Sequence, residues 1–319
     1  MILHFVQDDS VRLIWFLAKL NSTSATKSFG VWADIPTNNS IYSRYAGWKG
    51  SPLRILFIGD IFGEPGRQAV GNLLPELKEN LSIDFVIANG ENSAGGVGIT
   101  KEIALELLRT GVNSITLGNH AWSKKEVYSY LDEDTRVIRP ANYPPGIPGR
   151  GVAVYNIHDG TRIGVLNLCG RVFMDHIDDP FRIADKIIEN LAKETDVILI
   201  DFHAEATSEK IAFGWYVDGR VSAVIGTHTH VQTADERVLP GGTAYITDVG
   251  MTGPMDSVIG VKKELIISKF LTRLPHKFEV ADGEILLSAV VIDIDAASGK
   301  ATCIERLRVN PARLSRDNS

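Results

Sequence analysis

From residue 53 onward, apolar residues fall in short unbroken runs separated by mixed stretches. Leu53-Arg54-Ile55-Leu56-Phe57-Ile58 is a run of strand length that ends in Gly59. Further runs at 83–88, 113–117, 196–202, 221–225 and 244–247 have the same form. Hydrophobicity that is continuous rather than alternating predicts strands covered on both faces. Between them, helices are predicted over 67–80, 181–193, 208–217 and about 263–271, and one that Thr100 caps runs to about 109. His158-Asp159-Gly160 separates strands at 152–157 and 162–168 as a hairpin turn, and 285–293 and 301–309 close the chain as antiparallel strands. This order predicts an α/β domain, a layered α/β/β/α sandwich of two facing mixed β-sheets flanked by helices.

Residues 1–52 break the pattern. Residues 21–28 are mostly Ser, Thr, Ala and Lys, and 35–51 are rich in Pro, Asn, Ser, Tyr and Gly, so no period persists there. They read as a poorly structured extension. A sharper reading has translation begin at Leu53 through a non-standard initiation codon, which makes the extension a start-site artefact. The catalytic domain is then 53–310, with a flexible tail over 311–319.

Composition narrows the function more than the fold. With 319 residues, 44% hydrophobic, the chain can bury a large core. A net charge of −6 argues against duplex nucleic acid as a partner, because counterion release needs a basic stripe. No run of about eighteen apolar residues predicts a membrane span. Cys169 and Cys303 form no CxxC pair, which fits a reducing cytoplasm.

The candidate chemistry recurs at one kind of place. Asp60 follows the first strand, Glu91 and Asn92 the second, Asn119 and His120 the third, His203 a later strand, and His228 and His230 the strand after that. Ligands of α/β proteins gather beyond the carboxyl ends of strands, where loops converge. Taken singly, Asp60 reads equally as a cap, Glu91-Asn92 as a solvated turn, and His203 as a satisfied core histidine. His228-Thr229-His230 is sharper, since alternate residues of an extended segment point the same way. Asp201, two positions before His203, reads as an acceptor for its imidazole or as a plain surface residue. Gly95, Gly96 and Gly98 suggest a mobile rim, and Met251-Thr252-Gly253 a substrate contact; both also read as ordinary turns.

The series Gly59-Asp60, Gly90-Glu91-Asn92, Gly118-Asn119-His120, His203 and Gly226-Thr227-His228-Thr229-His230 resembles the calcineurin-like metallophosphoesterases. Within them, Ile58-Gly59-Asp60-Ile61-Phe62-Gly63, the stretch from Asp201 to Lys210 and Asp248-Val249-Gly250-Met251-Thr252-Gly253-Pro254 are similar to the bacterial YmdB family, from residue 53 to about 309. Phe62 stands where the superfamily carries a histidine, and Glu91 replaces its bridging aspartate. The resemblance implies two divalent cations, one held by Asp60, Glu91, Asn92 through its amide oxygen and His230, the other by Glu91, Asn119, His203 and His228. Oxygen and imidazole donors without thiolate favour iron or manganese. It also implies attack on phosphorus by a hydroxide shared between the cations, with His120 as general acid, since an imidazole's ordinary pKa near 6.5 suits proton donation. The implied substrate is a small phosphodiester, a 2′,3′-cyclic nucleoside monophosphate above all. A phosphomonoesterase and a non-catalytic nucleotide-binding regulator are the alternatives, and a homo-oligomer is left open.

Overall fold

The computed structural model describes residues 52–157 and 160–311. Strand β1 (Leu53–Ile58) is buried at every position because it is covered on both faces. Ile55 and Phe57 turn toward a facing sheet, Leu56 and Ile58 toward helices. β3 (Phe85–Asn89) lies parallel to β1, and β13 (Ile285–Asp295) lies antiparallel on its other side with Leu53 opposite Ile294. β4 (Ser114–Thr116) and β5 (Val137–Ile138) extend the β3 side; β12 (Met251–Pro254) and the two-residue β2 (Asp60–Ile61) extend the β13 side. β14 (Lys300–Val309) pairs with β13 as the predicted closing hairpin.

The second sheet has the order β10-β11-β9-β8-β7-β6. Its inner strands β7 (Arg162–Cys169), β8 (Val197–His203), β9 (Ala223–Thr227) and β11 (Ala244–Ile246) are parallel. The edges β6 (Val152–Asn156) and β10 (Arg237–Val238) are antiparallel. Both sheets are therefore mixed.

Three apolar layers follow from the two-faced strands. Ile55, Phe57, Ile87, Val165, Leu199 and Ile225 meet between the sheets. On the outer face of the first sheet, Leu56, Ile58 and Val86 pack on Val70, Leu73 and Leu77 of α1 (Gly63–Asn80) and Leu107 of α2 (Lys101–Arg109). On the outer face of the second, Leu166, Ile198 and Ile200 pack on Ile188 of α4 (Pro180–Leu191) and Phe213 of α5 (Thr207–Tyr216). A short α3 (Tyr128–Glu133) and an outlying α6 (Lys263–Thr272) complete the helices named here. The result is the expected α/β/β/α sandwich.

Local expectations hold with small corrections. Thr100 caps α2, its Oγ1 accepting from Ile103 N at 3.3 Å. Helix α1 starts at Gly63 rather than 67, because Pro65 sits in the first turn, where no amide donor is required of it. β6 and β7 pair antiparallel as predicted, while the turn residues His158 and Asp159 lie outside the described residues. So do the extension and the tail, except for Pro52 and Pro311. No helix among the described residues is long and apolar enough to cross a membrane.

Candidate metal centre

The carboxyl ends of β1, β3, β4, β8 and β9 bring every predicted ligand to one edge of the sandwich. His203 is the last residue of β8 and fully buried. Around its Nε2 stand Glu91 Oε1 at 3.0 Å, His228 Nδ1 at 3.0 Å and Asn119 Oδ1 at 3.1 Å. Gly118 is required at this spot, since a Cβ there would overlap Glu91 Oε2 and His203 Nε2. The same Glu91 Oε1 lies 3.2 Å from Asn92 Nδ2, which is 3.1 Å from His230 Nε2, and that nitrogen is 3.7 Å from Asp60 Oδ1. Asp60 enters through β2, which pairs in parallel with β12.

The imidazole tautomers are set by partners on the far nitrogen. Thr227 Oγ1 donates to Asp201 Oδ1 at 2.6 Å, so it receives the His203 Nδ1 proton at 2.9 Å. His230 Nδ1 donates to Ile259 O at 3.0 Å, and His228 Nε2 faces Glu205 Oε2 at 3.2 Å. The other ring nitrogen of His203 then faces Glu91, that of His230 faces Asp60, and that of His228 faces His203 Nε2. Asp201 thus reaches His203 through Thr227 instead of directly.

The electrostatics report competition for one small volume. Burial opposes charge on Glu91, yet the neighbouring His203 holds its carboxyl down at about 2. Burial also opposes charge on His203, but Glu91 raises it to about 9. Burial and then the charge of His203 push His228 down to about 3, so it stays neutral. Burial raises Asp60 against the pull of His230 and His203, and it raises Asp201 to about 6.

Two observations fit divalent cations. One proton on His203 Nε2 cannot serve three acceptors at 3.0–3.1 Å, whereas a cation takes all of these lone pairs together. Asp60 Oδ1 is buried without a hydrogen-bond partner among the described residues, a costly state that a cation relieves.

The turn carrying His228 and His230 corrects an expectation. These residues have φ of 97° and 65°, so the segment is left-handed, not extended; His228 Nδ1 faces His203 Nε2 at 3.0 Å, while His230 Nε2 faces Asn92 Nδ2 at 3.1 Å. Such backbone costs about 1–3 kcal/mol per residue and persists only where surroundings over-determine it. Here Lys210 Nζ donates to Thr227 O at 2.6 Å and to Asp248 Oδ2 at 2.7 Å. Asp248 Oδ2 also accepts from Thr229 N at 3.0 Å, and Asp60 Oδ2 from His228 N at 3.2 Å. Lys210, Asp248, Thr227 and Glu205 escaped the sequence reading as working residues. Lys210 alone left a signal, since it shares the buried helical face of Phe213 and Gly214.

Other expected residues fall as follows. Asn92 turns its amide nitrogen, not its oxygen, to Glu91 and His230; oxygen ligation needs a half-turn of that amide. Phe62 meets the His230 ring edge-on, centroids 5.6 Å apart, and packs with Val261 and Ile266. Gly96, at φ 94°, lets the loop close on the Phe62 ring, which a Cβ would strike. Gly95 and Gly98 are also left-handed, so the rim has a specified turn. His120 donates its backbone N–H to Glu91 Oε2 at 3.0 Å, and its Nε2 lies 3.4 Å from Asn119 Nδ2. Of Met251-Thr252-Gly253, only Met251 is half-buried; the other two are buried. Hollows of about 570 and 440 Å³ elsewhere on the molecule are lined by none of the candidate ligands.

Two facing mixed sheets between helices, with carboxylate, amide and imidazole donors at the strand ends, define a phosphoesterase of the metallophosphoesterase type, a class that uses divalent metals. The model of the YmdB-like protein family matches residues 56–307, and the chain belongs to that family. A 2′,3′-cyclic-nucleotide 2′-phosphodiesterase of Bacillus subtilis (strain 168) is 54% identical over 258 residues, covering 81% of this chain and 97% of the relative. A hypothetical protein from Thermus thermophilus, of known crystal structure, is 45% identical with a TM-score of 0.76, over 81% of this chain and 99% of that one. A phosphatase crystal structure from Mycoplasma pneumoniae gives 35% identity and a TM-score of 0.77, over 84% of this chain and 98% of that one.

Proposed function

We propose that this chain is a phosphodiesterase that hydrolyses cyclic nucleotides, 2′,3′-cyclic nucleoside monophosphates first among them, on a centre of two divalent cations. Asp60, Glu91, Asn92 and His230 hold one cation; Glu91, Asn119, His203 and His228 hold the other. The carrying observation is the convergence on His203 Nε2 of Glu91, Asn119 and His228, together with a buried Asp60 Oδ1 that has no hydrogen-bond partner among the described residues. The activity printed for the Bacillus subtilis relative supports the choice of substrate. Donors without thiolate support iron or manganese.

Bound cations supply Lewis-acid polarisation of the phosphoryl oxygens and activation of water. The chain's own groups do the rest. Glu91 spans the two ligand sets with one oxygen toward His203 and Asn92 and the other on the His120 amide. That amide contact fixes the backbone of His120, whose half-buried ring is left to protonate the departing ribose oxygen. Hydrolysis forms a P–O bond to the oxygen of water and breaks one P–O bond of the cyclic diester; His120 gives its proton to the departing oxygen, water releases one to solvent that restores the imidazolium, and a phosphomonoester remains. Cys169 and Cys303 form no CxxC pair, which supports a cytoplasmic location. Exposed Phe270, Leu271 and Leu274 around the end of α6 support a homo-oligomer.

The test is a turnover screen of 2′,3′-cyclic, 3′,5′-cyclic and noncyclic nucleotides on metal-analysed protein, with p-nitrophenyl phosphate and its bis ester alongside. The 2′,3′-cyclic substrates should lead. Faster cleavage of the monoester would make the chain a phosphomonoesterase, and binding without turnover in manganese or iron would make it a regulator. His120→Ala should keep both metals and lose about 10²–10⁴ in kcat; an unchanged kcat would refute the acid role.

A further inference from the structure

A hollow of about 240 Å³ opens beside His230, between the turn that follows it and strand β12. It is smaller than the roughly 300–1,000 Å³ that encloses a whole drug-sized ligand, so it suits one ring system of a larger molecule. His230 is the wall it shares with the candidate centre, because the same ring turns Nε2 toward Asp60 and Asn92. A phosphate seated at that centre therefore brings its organic substituent to the mouth of the hollow.

The lining selects a kind of ring. Met251 and Met255 offer thioethers, which make favourable contacts with aromatic rings. Ile259, 51% exposed, adds an apolar edge. Ser257 and Arg308 add polar side chains to the lining, and a guanidinium both stacks on planar rings and donates to acceptors on a base edge. Sulfur, a short apolar wall and a planar cation suit a flat heteroaromatic ring with hydrogen-bonding edges better than a sugar.

Resting on the cyclic-nucleotide reading above, we propose that this hollow is the base subsite of the enzyme, where the nucleobase lies between the Met251 and Met255 side and Arg308 while the phosphate is at the centre. The subsite sets KM more than kcat, since the base is remote from the bond that breaks.

Kinetics of the metal-loaded full chain on adenosine 2′,3′-cyclic phosphate and on methyl ribofuranoside 2,3-cyclic phosphate, which has no base, test this. The unaltered chain should show a KM about tenfold lower for the nucleotide. Arg308→Ala should raise that KM about fivefold with kcat held, and Met255→Trp, which fills the hollow, should raise it about tenfold or more. Neither should move KM for the base-free substrate. Metal content is measured on each variant, and if Met255→Trp loses metal, Arg308→Ala decides alone. Equal KM for both substrates in the unaltered chain overturns the subsite, as does a rise of the same size on both substrates in Arg308→Ala. A chain inert toward both overturns the phosphodiesterase reading itself, and the subsite with it.

Discussion

Two buried ion pairs stand at opposite ends of the strands. Arg54 is the second residue of β1, toward the far end of that strand from the candidate centre, and its guanidinium grips Asp293 of β13 through Nε at 2.6 Å and Nη2 at 3.1 Å. Lys210 lies beneath the other end, between Asp248 and the last carbonyl of β9. Both pairs are almost wholly shielded from water, with side-chain exposures of 7% and 4% against 1% and 0%. Arg54 ties one strand to its neighbour, in a register already set by six backbone partners. Lys210 and Asp248 instead hold a turn of unfavourable backbone that carries two candidate ligands. Burial alone does not tell a structural pair from one that shapes a site; what the pair holds does.

Breaking each pair separates these roles. Lys210→Met strands Asp248 in the interior, at a cost of about 3–5 kcal/mol, and also releases the His228–His230 turn. Both the melting temperature and the affinity for manganese should fall, the latter read by titration at a temperature where the variant is folded. Arg54→Met should cost a similar amount in denaturant melts and leave metal affinity as it was. If the two variants lose metal affinity alike, the contrast fails.

A smaller effect lies one step from the ligands. Thr227→Val removes the hydroxyl between Asp201 and His203, and metal affinity should drop about 10–100-fold, the range for groups that orient a ligating imidazole. An unchanged affinity would make the Asp201 relay a packing feature.

The smallest effect is one of pH on the metal-free chain. His203 rises from 6.5 to about 9, so its share of stability is full below pH 6.5 and is lost as pH climbs through 9. Glu91 falls from 4.5 to about 2, so its share is present above pH 4.5 and is lost as pH falls through 2. Thermal melts of chelator-treated protein should therefore decline from pH 6.5 to 9. Manganese-loaded protein should not follow that decline, because a cation in place of the His203 proton removes its titration. A flat profile without metal would contradict the pairing.

The sandwich was legible because strand runs buried on both faces have no other simple pattern, as in residues 53–58. The candidate site was legible because donor-type residues recur after those runs. What escaped notice depends on distance through space. Lys210 on a buried helical face shows an anomaly, but its partner lies 38 residues away and nothing local names it. The left-handed turn at His228 and His230 left no mark, because neither position is glycine. Thr227 looks like an ordinary strand residue until Asp201 is seen on its hydroxyl.

Strand β13 has a consequence for how the chain is made. It lies between β1 and β12, pairing Leu53 with Ile294 and Gly253 with Leu286, so the middle of the first sheet comes from the final hairpin, after every other strand but β14. A chain emerging from the ribosome holds all the candidate ligands once residue 230 is out, yet β1 has one flank bare and β2 and β12 lack their link to it until about residue 295. The protein thus spends most of its synthesis with a largely apolar strand edge waiting for β13, a period in which a chaperone, or another nascent copy, has the first claim on that edge.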